Sequence, residues 1–299
     1  MLRRKNRAAK SPAIIPDASR ASTILLNEGL RASKSKGQNF LTQGTIADQI
    51  VDVANLESSD HVIEIGPGLG ILTERILERD IAHLTLVELD GRLAARLRET
   101  YAKNDRVTVI EADFLTVDLR TIANGRAKIV GNLPFNAANA IFRKLCEHHD
   151  LILLIVAMFQ REVAERLRAA PGTSEYSALS VYAALYFEID LHFRVAAGSF
   201  HPKPNVDAEV LRFRPRGNFL FNPDEEPRVL NTVRASFSAP RKMIRNSLAA
   251  GLAVSSEDAV AALMRAQIDP AARAESLSPE DFVRLARALD SAHARASRS

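Results

Sequence analysis

The nine residues Val62-Ile63-Glu64-Ile65-Gly66-Pro67-Gly68-Leu69-Gly70 constrain this chain more than any other stretch. Val62 to Ile65 are rich in β-branched apolar side chains and read as a buried strand. Three glycines at alternate positions then allow a tight turn in which main chain can approach a ligand closely. Apolar positions at helical spacing resume over residues 71–79. A strand, a glycine turn and a helix start, in that order, make a cradle shaped for a nucleotide. Such turns also occur for packing reasons, so the meaning of this one rests on what accompanies it. The spacing is G-x-G-x-G, not the dinucleotide G-x-G-x-x-G, and Glu64 stands two residues before the first glycine. A carboxylate there offers nothing to a pyrophosphate. It suits a cationic or amino-acid-bearing ligand.

Strand and helix patterns alternate after the turn. Strands are predicted over residues 82–87, 107–110, 127–131 and 151–157, and helices over 93–101, 137–146 and 161–168. Near-continuous apolar strands separated by helices imply a parallel sheet covered on both faces. Residues 189–195 and 206–213 read as a closing antiparallel pair, and a helix over 45–56 precedes the glycine turn. From about residue 217 the character changes. A Pro/Asn/Asp-containing linker at 218–227 leads into helical patterns over 228–238, 241–250, 257–267 and 279–289, the last opened by Ser278-Pro279. The expected division is a flexible basic arm over 1–20, an α/β domain over 21–216 and a small all-helical domain over 217–299.

With 299 residues, 46% apolar and 25% charged, the chain has the composition of a globular protein, and its apolar runs are too short to span a membrane. The single cysteine, Cys146, excludes an internal disulfide and a cysteine-based zinc site. It suits a reducing, cytoplasmic compartment. The net charge of +4 is unevenly spread: residues 1–37 carry nine Lys/Arg against two acids, whereas residues 38–213 carry 18 against 24. Residues 214–299 are basic again, with 13 against 10. Basic ends around an acidic middle suit a polyanion held from the flanks, although a solvated basic tail has the same signature. The Arg-rich, serine-containing start also leaves an organellar transit peptide open.

In an open α/β sheet, ligands sit beyond the carboxyl ends of the strands. The ends of the first four strands of the alternation carry the glycines 66–70, Glu88, Asp113 and Asn132-Leu133-Pro134-Phe135. Glu88 stands where an acidic side chain accepts from both ribose hydroxyls, and Asp113 can accept from an adenine amino group. Each alone is equally a surface or turn carboxylate. Together they imply a cofactor with a ribose, an adenine and an amino-acid end, which is S-adenosyl-L-methionine and not NAD. The Asn132–Phe135 turn suits methylation of a base amine. The lone pair of such an amine is delocalised into the ring, and acceptors aimed at its two hydrogens favour a pyramidal nitrogen able to attack. The Asn132 side-chain oxygen and a main-chain carbonyl beside Pro134 can supply that pair, while Phe135 offers a face for stacking. Such a transfer needs positioning and desolvation, without a metal or a strong base.

These segments resemble the small-subunit (16S) rRNA adenine N6,N6-dimethyltransferase family. The likeness runs through KGQNFL (36–41), VIEIGPGLGILT (62–73), VELD (87–90), GNLPFN (131–136) and FQREVAERL (159–167). It continues in FHPKPNVDAEV (200–210), RKMIRNSL (241–248) and RAESLSPEDF (273–282), leaving only the first 20 or so residues outside. The resemblance implies an α/β, Rossmann-like class I methyltransferase sheet with a small all-helical C-terminal domain. It also implies dimethylation of two adjacent adenosines in a hairpin loop near the 3′ end of small-subunit rRNA. The enzyme would meet that rRNA within a 30S assembly intermediate, as a monomer and away from membranes. It assigns Asn39, Leu41 and Gly66 to the methionine end of the cofactor, Glu88 to the ribose, Asp113 to the adenine and Asn132 to the reacting centre. It makes Phe200 a second aromatic facing the target base, and Lys36, Arg241, Lys242 and Arg245 contacts to RNA phosphates. Two departures stand out. Phe135 occupies a position that is usually tyrosine, and Asn136-Ala137-Ala138-Asn139-Ala140 lacks the Ser/Thr-Pro often found there. A macrolide-resistance type of methyltransferase acting on large-subunit rRNA and a non-catalytic binding module remain as rivals. The C-terminal segments disfavour the first and the intact Asn132–Phe135 turn disfavours the second.

Overall fold

The computed structural model describes residues 37–239 and 241–296, with side chains through Leu289. The expected basic arm over residues 1–20 and Lys36 lie outside the described residues. In chain order the elements are β1 (Phe40–Leu41), α1 (Gly44–Ala54), β2 (His61–Ile65), α2 (Ile71–Leu77), β3 (His83–Glu88), α3 (Gly91–Thr100) and β4 (Val107–Glu111). There follow α4 (Leu119–Ile122), β5 (Ala127–Asn132), α5 (Ala138–Glu147), β6 (Ile152–Gln160), α6 (Arg161–Leu167), α7 (Ala178–Tyr186) and β7 (Phe187–Val195). The chain ends with β8 (Phe200–His201), β9 (Ala208–Pro215), α8 (Glu226–Ser236), α9 (Ile244–Leu252), α10 (Ser256–Arg265) and α11 (Pro279–Ala296).

Seven strands form one sheet in the order β4-β3-β2-β5-β6-β9-β7. The first five are parallel, while β9 runs antiparallel to both β6 and β7, which makes the expected closing pair. Successive side chains along a strand face opposite sides of a sheet, and the buried residues divide accordingly. In β6, Ile155, Ala157 and Phe159 join the core on one face, and Val156 and Met158 join the core on the other. Both faces are covered, as near-continuous apolar strands require. The chain leaves β2 outward to β4 and then returns to β5 on the other side of β2. The carboxyl ends of β2 and β5 therefore flank the crevice where the winding reverses.

Three features differ from the sequence expectation, each for a physical reason. Helix α7 has no apolar stripe to announce it: ALSVYAALY is apolar nearly all round because Leu179, Val181, Ala183, Leu185 and Tyr186 are all buried. Strand β6 runs on to Gln160 because Met158, Phe159 and Gln160 gain β9 as an antiparallel partner. The linker is packed against the sheet-bearing part, with the Phe219 ring 4.8 Å from that of His149 and Phe221 6.0 Å from Tyr186. The core that starts at Ile63 on the sheet continues without a break into Phe282 and Leu289 on α11. Ser278 caps that helix as the sequence indicates, its hydroxyl accepting from the Asp281 N–H at 3.2 Å while Asp281 accepts from the Ser278 N–H at 2.8 Å. Among the described residues no single helix is long and apolar enough to cross a membrane.

Candidate active site

The glycine turn after β2 takes the backbone that its composition allows. Gly66, Gly68 and Gly70 all have positive φ, at 66°, 57° and 85°. At Gly68 the restriction is also spatial, because an added Cβ would lie 2.9 Å from the ring of Phe40. The Gly68 N–H donates to Glu88 Oε2 at 3.0 Å, and the Asp90 N–H donates to Oε1 at 2.8 Å. Two main-chain donors thus hold the Glu88 carboxylate at the end of β3, where it is buried. Asp113, after β4, accepts from the Leu115 N–H at 2.9 Å through Oδ1, which fixes its side chain in an Asx turn and leaves Oδ2 for a ligand.

At the end of β5, the Asn132 amide donates to the Asn39 carbonyl at 2.8 Å. Its Oδ1 is buried and has no hydrogen-bond partner. An orphaned acceptor of this kind is uncommon in a folded interior and calls for a ligand donor. The Pro134 carbonyl is taken by the Ala137 N–H at 3.0 Å, so the turn runs straight into α5. Phe135 is half-buried, with its ring 6.3 Å from that of Phe200 at an edge-on 65°. The small β1–β8 pairing sets that approach, placing Leu41 opposite Phe200 and Phe40 opposite His201. Both the N–H and the hydroxyl of Thr42 donate to the Ser199 carbonyl, at 2.9 and 3.0 Å. The Gly37–Leu41 segment is thereby tied across the crevice.

Asn39, Gly66, Glu88, Asp113 and the whole Asn132–Phe135 turn line one cavity of about 240 Å³. Four strand ends that are far apart in sequence meet there, as expected. Other expected residues stand elsewhere. Leu41 and Phe200 are buried beneath the site in the packing against α1 and α2. Phe200 thus backs Phe135 and is not among the cavity walls. Arg241 and Lys242 are exposed just before α9, and Arg245 is half-buried in its first turn. Glu64 lines a separate void of about 20 Å³ that it shares with Gly66 and Asn132. Burial is the largest effect on its carboxyl, which is pushed up to about 8 although the Thr73 hydroxyl donates to it at 2.7 Å. Leu89 and Leu115 went unsuspected in the sequence. Both hold exposed apolar side chains at the cavity wall, beside Glu88 and Asp113. The available signal was an apolar residue one or two places after each strand-end carboxylate, as a flat ring needs for its faces.

A larger cleft of about 770 Å³ lies between α5, α7 and α8. Its walls include Cys146, Tyr182, Leu230 and Phe237, with Arg143, Arg166 and Arg234 among them, and it begins at Asn139 in the first turn of α5. It contains none of the strand-end carboxylates, so the smaller cavity is the one equipped for a nucleoside.

Residues 29–291 match the family model described as ribosomal RNA adenine dimethylase. A ribosomal RNA small subunit methyltransferase A from Geobacter metallireducens is 39% identical over 267 residues, which is 88% of this chain and 97% of the relative. One from Bordetella petrii is 40% identical over 259 residues, 87% of this chain and 95% of the relative. Among solved structures, a dimethyladenosine transferase from Plasmodium falciparum superimposes with a TM-score of 0.68 at 26% identity, covering 82% of this chain and 95% of its own. The 23S rRNA methyltransferase ErmE does so at 0.64 and 28% identity, covering 84% of this chain and 100% of its own.

Proposed function

This chain belongs to the ribosomal RNA adenine dimethylase family, and from that premise we propose how its residues dimethylate N6 of two adjacent adenosines in 16S rRNA. The cofactor is S-adenosyl-L-methionine, which supplies an electrophilic methyl group on a sulfonium. Glu88 accepts from the ribose hydroxyls while two main-chain N–H groups hold it in place. Asp113 uses its remaining oxygen for the adenine amino group, and Leu89 and Leu115 cover the faces of the ring. Asn39, in the strap across the crevice, and Gly66 enclose the amino-acid end, with Leu41 anchoring that strap from below.

The observation that carries the reading is the unpartnered Asn132 Oδ1. Its own amide is fixed on the Asn39 carbonyl, so the oxygen cannot turn away, and it waits as an acceptor for the amine of the target base. With the Pro134 carbonyl spent on Ala137, the Leu133 carbonyl is the main-chain acceptor left beside the proline. Two acceptors on the two amine hydrogens pull the nitrogen out of conjugation and aim its lone pair. Phe135 stacks on the base, and Phe200 stiffens Phe135 from behind. The rate gain is then one of orientation and water exclusion. A loop adenosine is already partly unstacked, which lowers the cost of bringing it into the pocket.

The rRNA reaches this pocket along the larger cleft, whose aromatic floor and arginines start one turn from the reaction turn. Arg241, Lys242 and Arg245 add phosphate contacts from the helical part, and the chain acts as a monomer on a 30S intermediate in the cytoplasm. We divide it accordingly into a methyltransferase unit through residue 216 and a helical unit from 217. The test is incubation with labelled S-adenosylmethionine and undermethylated 30S particles, followed by mapping of the modified bases. Label on N6 of two adjacent loop adenosines in 16S rRNA is expected. Label in large-subunit rRNA, or 30S binding without transfer, overturns the assignment.

A further inference from the structure

The loop that carries Asp113 is held from outside the cofactor cavity by one side chain. Lys144, in the last turn of α5, donates to the carbonyls of Phe114 and Leu115 at 2.9 Å each and to that of Val117. An ammonium has three N–H donors, and all three are used on consecutive turns of one loop. The same ammonium sits 5.6 Å from the centre of the Phe114 ring, whose side chain is buried. On the other side, the Asp113 carbonyl accepts from both the N–H and the hydroxyl of Thr116, at 2.9 Å each. Three of its carbonyls are gathered on one cation in the arrangement in which Asp113 and Leu115 form the cavity wall.

Helix α5 also begins three residues after Phe135 and contributes Ile141 to the same cavity. Lys144 therefore pins the wall beside Asp113 to the helix that carries the reaction turn. Without the ammonium, the Phe114 carbonyl would keep only the Val117 N–H, at 3.3 Å, the Leu115 and Val117 carbonyls would lose the side-chain donor that ties them to α5, and the loop would loosen towards water.

We infer that Lys144 is a positioning residue that preforms the adenine-side wall of the cofactor cavity and so sets affinity for the purine end of the cofactor. The inference rests on the proposed cofactor site, so the experiment separates the two. Calorimetric titration with S-adenosylhomocysteine is run on the wild-type protein, Lys144→Met and Lys144→Arg, with binding of the 16S hairpin measured in parallel. Lys144→Met keeps an unbranched stem against Phe114 and removes every donor. It should weaken S-adenosylhomocysteine binding by about tenfold, through lost preorganisation, and raise KM for the methyl donor similarly. The kcat at saturating donor and the hairpin affinity should stay within about twofold, because neither depends on the preformed wall. Lys144→Arg restores a cation with several N–H groups and should recover most of the loss, which a mere packing role would not allow.

Unchanged nucleoside affinity in Lys144→Met overturns the inference, as does a Lys144→Arg protein as weak as Lys144→Met. A parallel collapse of hairpin binding does so too, since it would mark a general lesion. If Lys144→Met does not fold, Lys144→Gln decides, with an intermediate loss expected from its two remaining donors and full affinity overturning the idea. Failure of the wild-type protein to bind S-adenosylhomocysteine would instead refute the cofactor site itself.

Discussion

Strands β2 and β5 lie side by side, yet their two ends have opposite characters. At the amino end, polar groups are spent on one another. Lys128 Nζ, on β5, lies 2.7 Å from Asp60 Oδ2 and donates to the Asn55 carbonyl at 2.6 Å. His61, at the start of β2, bridges the Ala123 carbonyl at 3.0 Å and the Thr85 hydroxyl at 2.8 Å. A carbonyl can only accept, so Nδ1 carries a proton, and in the neutral ring that burial favours Nε2 accepts from the Thr85 hydroxyl. Burial, the largest effect, accordingly lowers its pKa. Towards the carboxyl end, three or four residues along, Asn132 Oδ1 is buried without a partner and Glu64 is buried with a raised pKa. The same pair of strands thus has one end whose polar groups are paired and one end with an unpartnered acceptor, which is the end we propose to bind. At this pair of strands the unpartnered acceptor and the proposed chemistry fall at the same end, in the smaller of the two cavities.

The contrast can be broken by substitution at either end. The largest effect should come from Asn132→Ala, which removes the unpartnered acceptor. We expect a loss of roughly 10³-fold in kcat, with nucleoside affinity within a few-fold of wild type, read by single-turnover methylation and calorimetry. A rate near that of wild type would mean that the orphaned oxygen has no part in the transfer. At the satisfied end, Lys128→Ala leaves a largely buried Asp60 without its cation. Stability should fall by about 2–3 kcal/mol in urea melts, with kcat unchanged in the folded protein.

Glu64→Gln gives a conditional effect that vanishes below pH 4.5, and its sign follows from the raised pKa. In the unfolded chain the carboxyl ionises near 4.5, and in the folded cofactor-free protein near 8. The folded state therefore holds a proton that the unfolded state has released, and wild-type stability declines as pH rises from 4.5 to 8. Glutamine does not ionise, so the variant should gain on wild type across that window, by at most about 1.4 kcal/mol per pH unit. Parallel stability–pH curves for the two proteins would show that Glu64 is not the group responsible.

Much of this was legible in the residue order because the signals were local. Apolar runs bounded by glycine and charge announced the parallel strands, and residues placed at their ends, Glu88, Asp113 and Asn132, had to meet if the sheet was parallel. Helix α7 was not legible, because a helix buried on all sides loses the polar face that gives it a period. The roles of Leu41 and Phe200 were blurred for a related reason. A motif records that a side chain belongs to a site, and only packing separates a wall from the layer behind it. Lys144 was silent too: a lysine near the end of a helix reads as a solvated charge until a loop more than 25 residues away is folded against it.

What the amino-acid order determined by itself was the succession of strands, the glycine turn with its positive-φ backbone, and the chemical types gathered at the strand ends. These depend on steric limits and periodicities that act over a few residues. The tertiary structure alone decided which of those groups are partnered, which are desolvated and which loop is clamped to which helix. Hydrogen bonds and burial are settled between segments distant in sequence, and the Asn132 oxygen became an orphan only when its own amide was fixed to Asn39, 93 residues away.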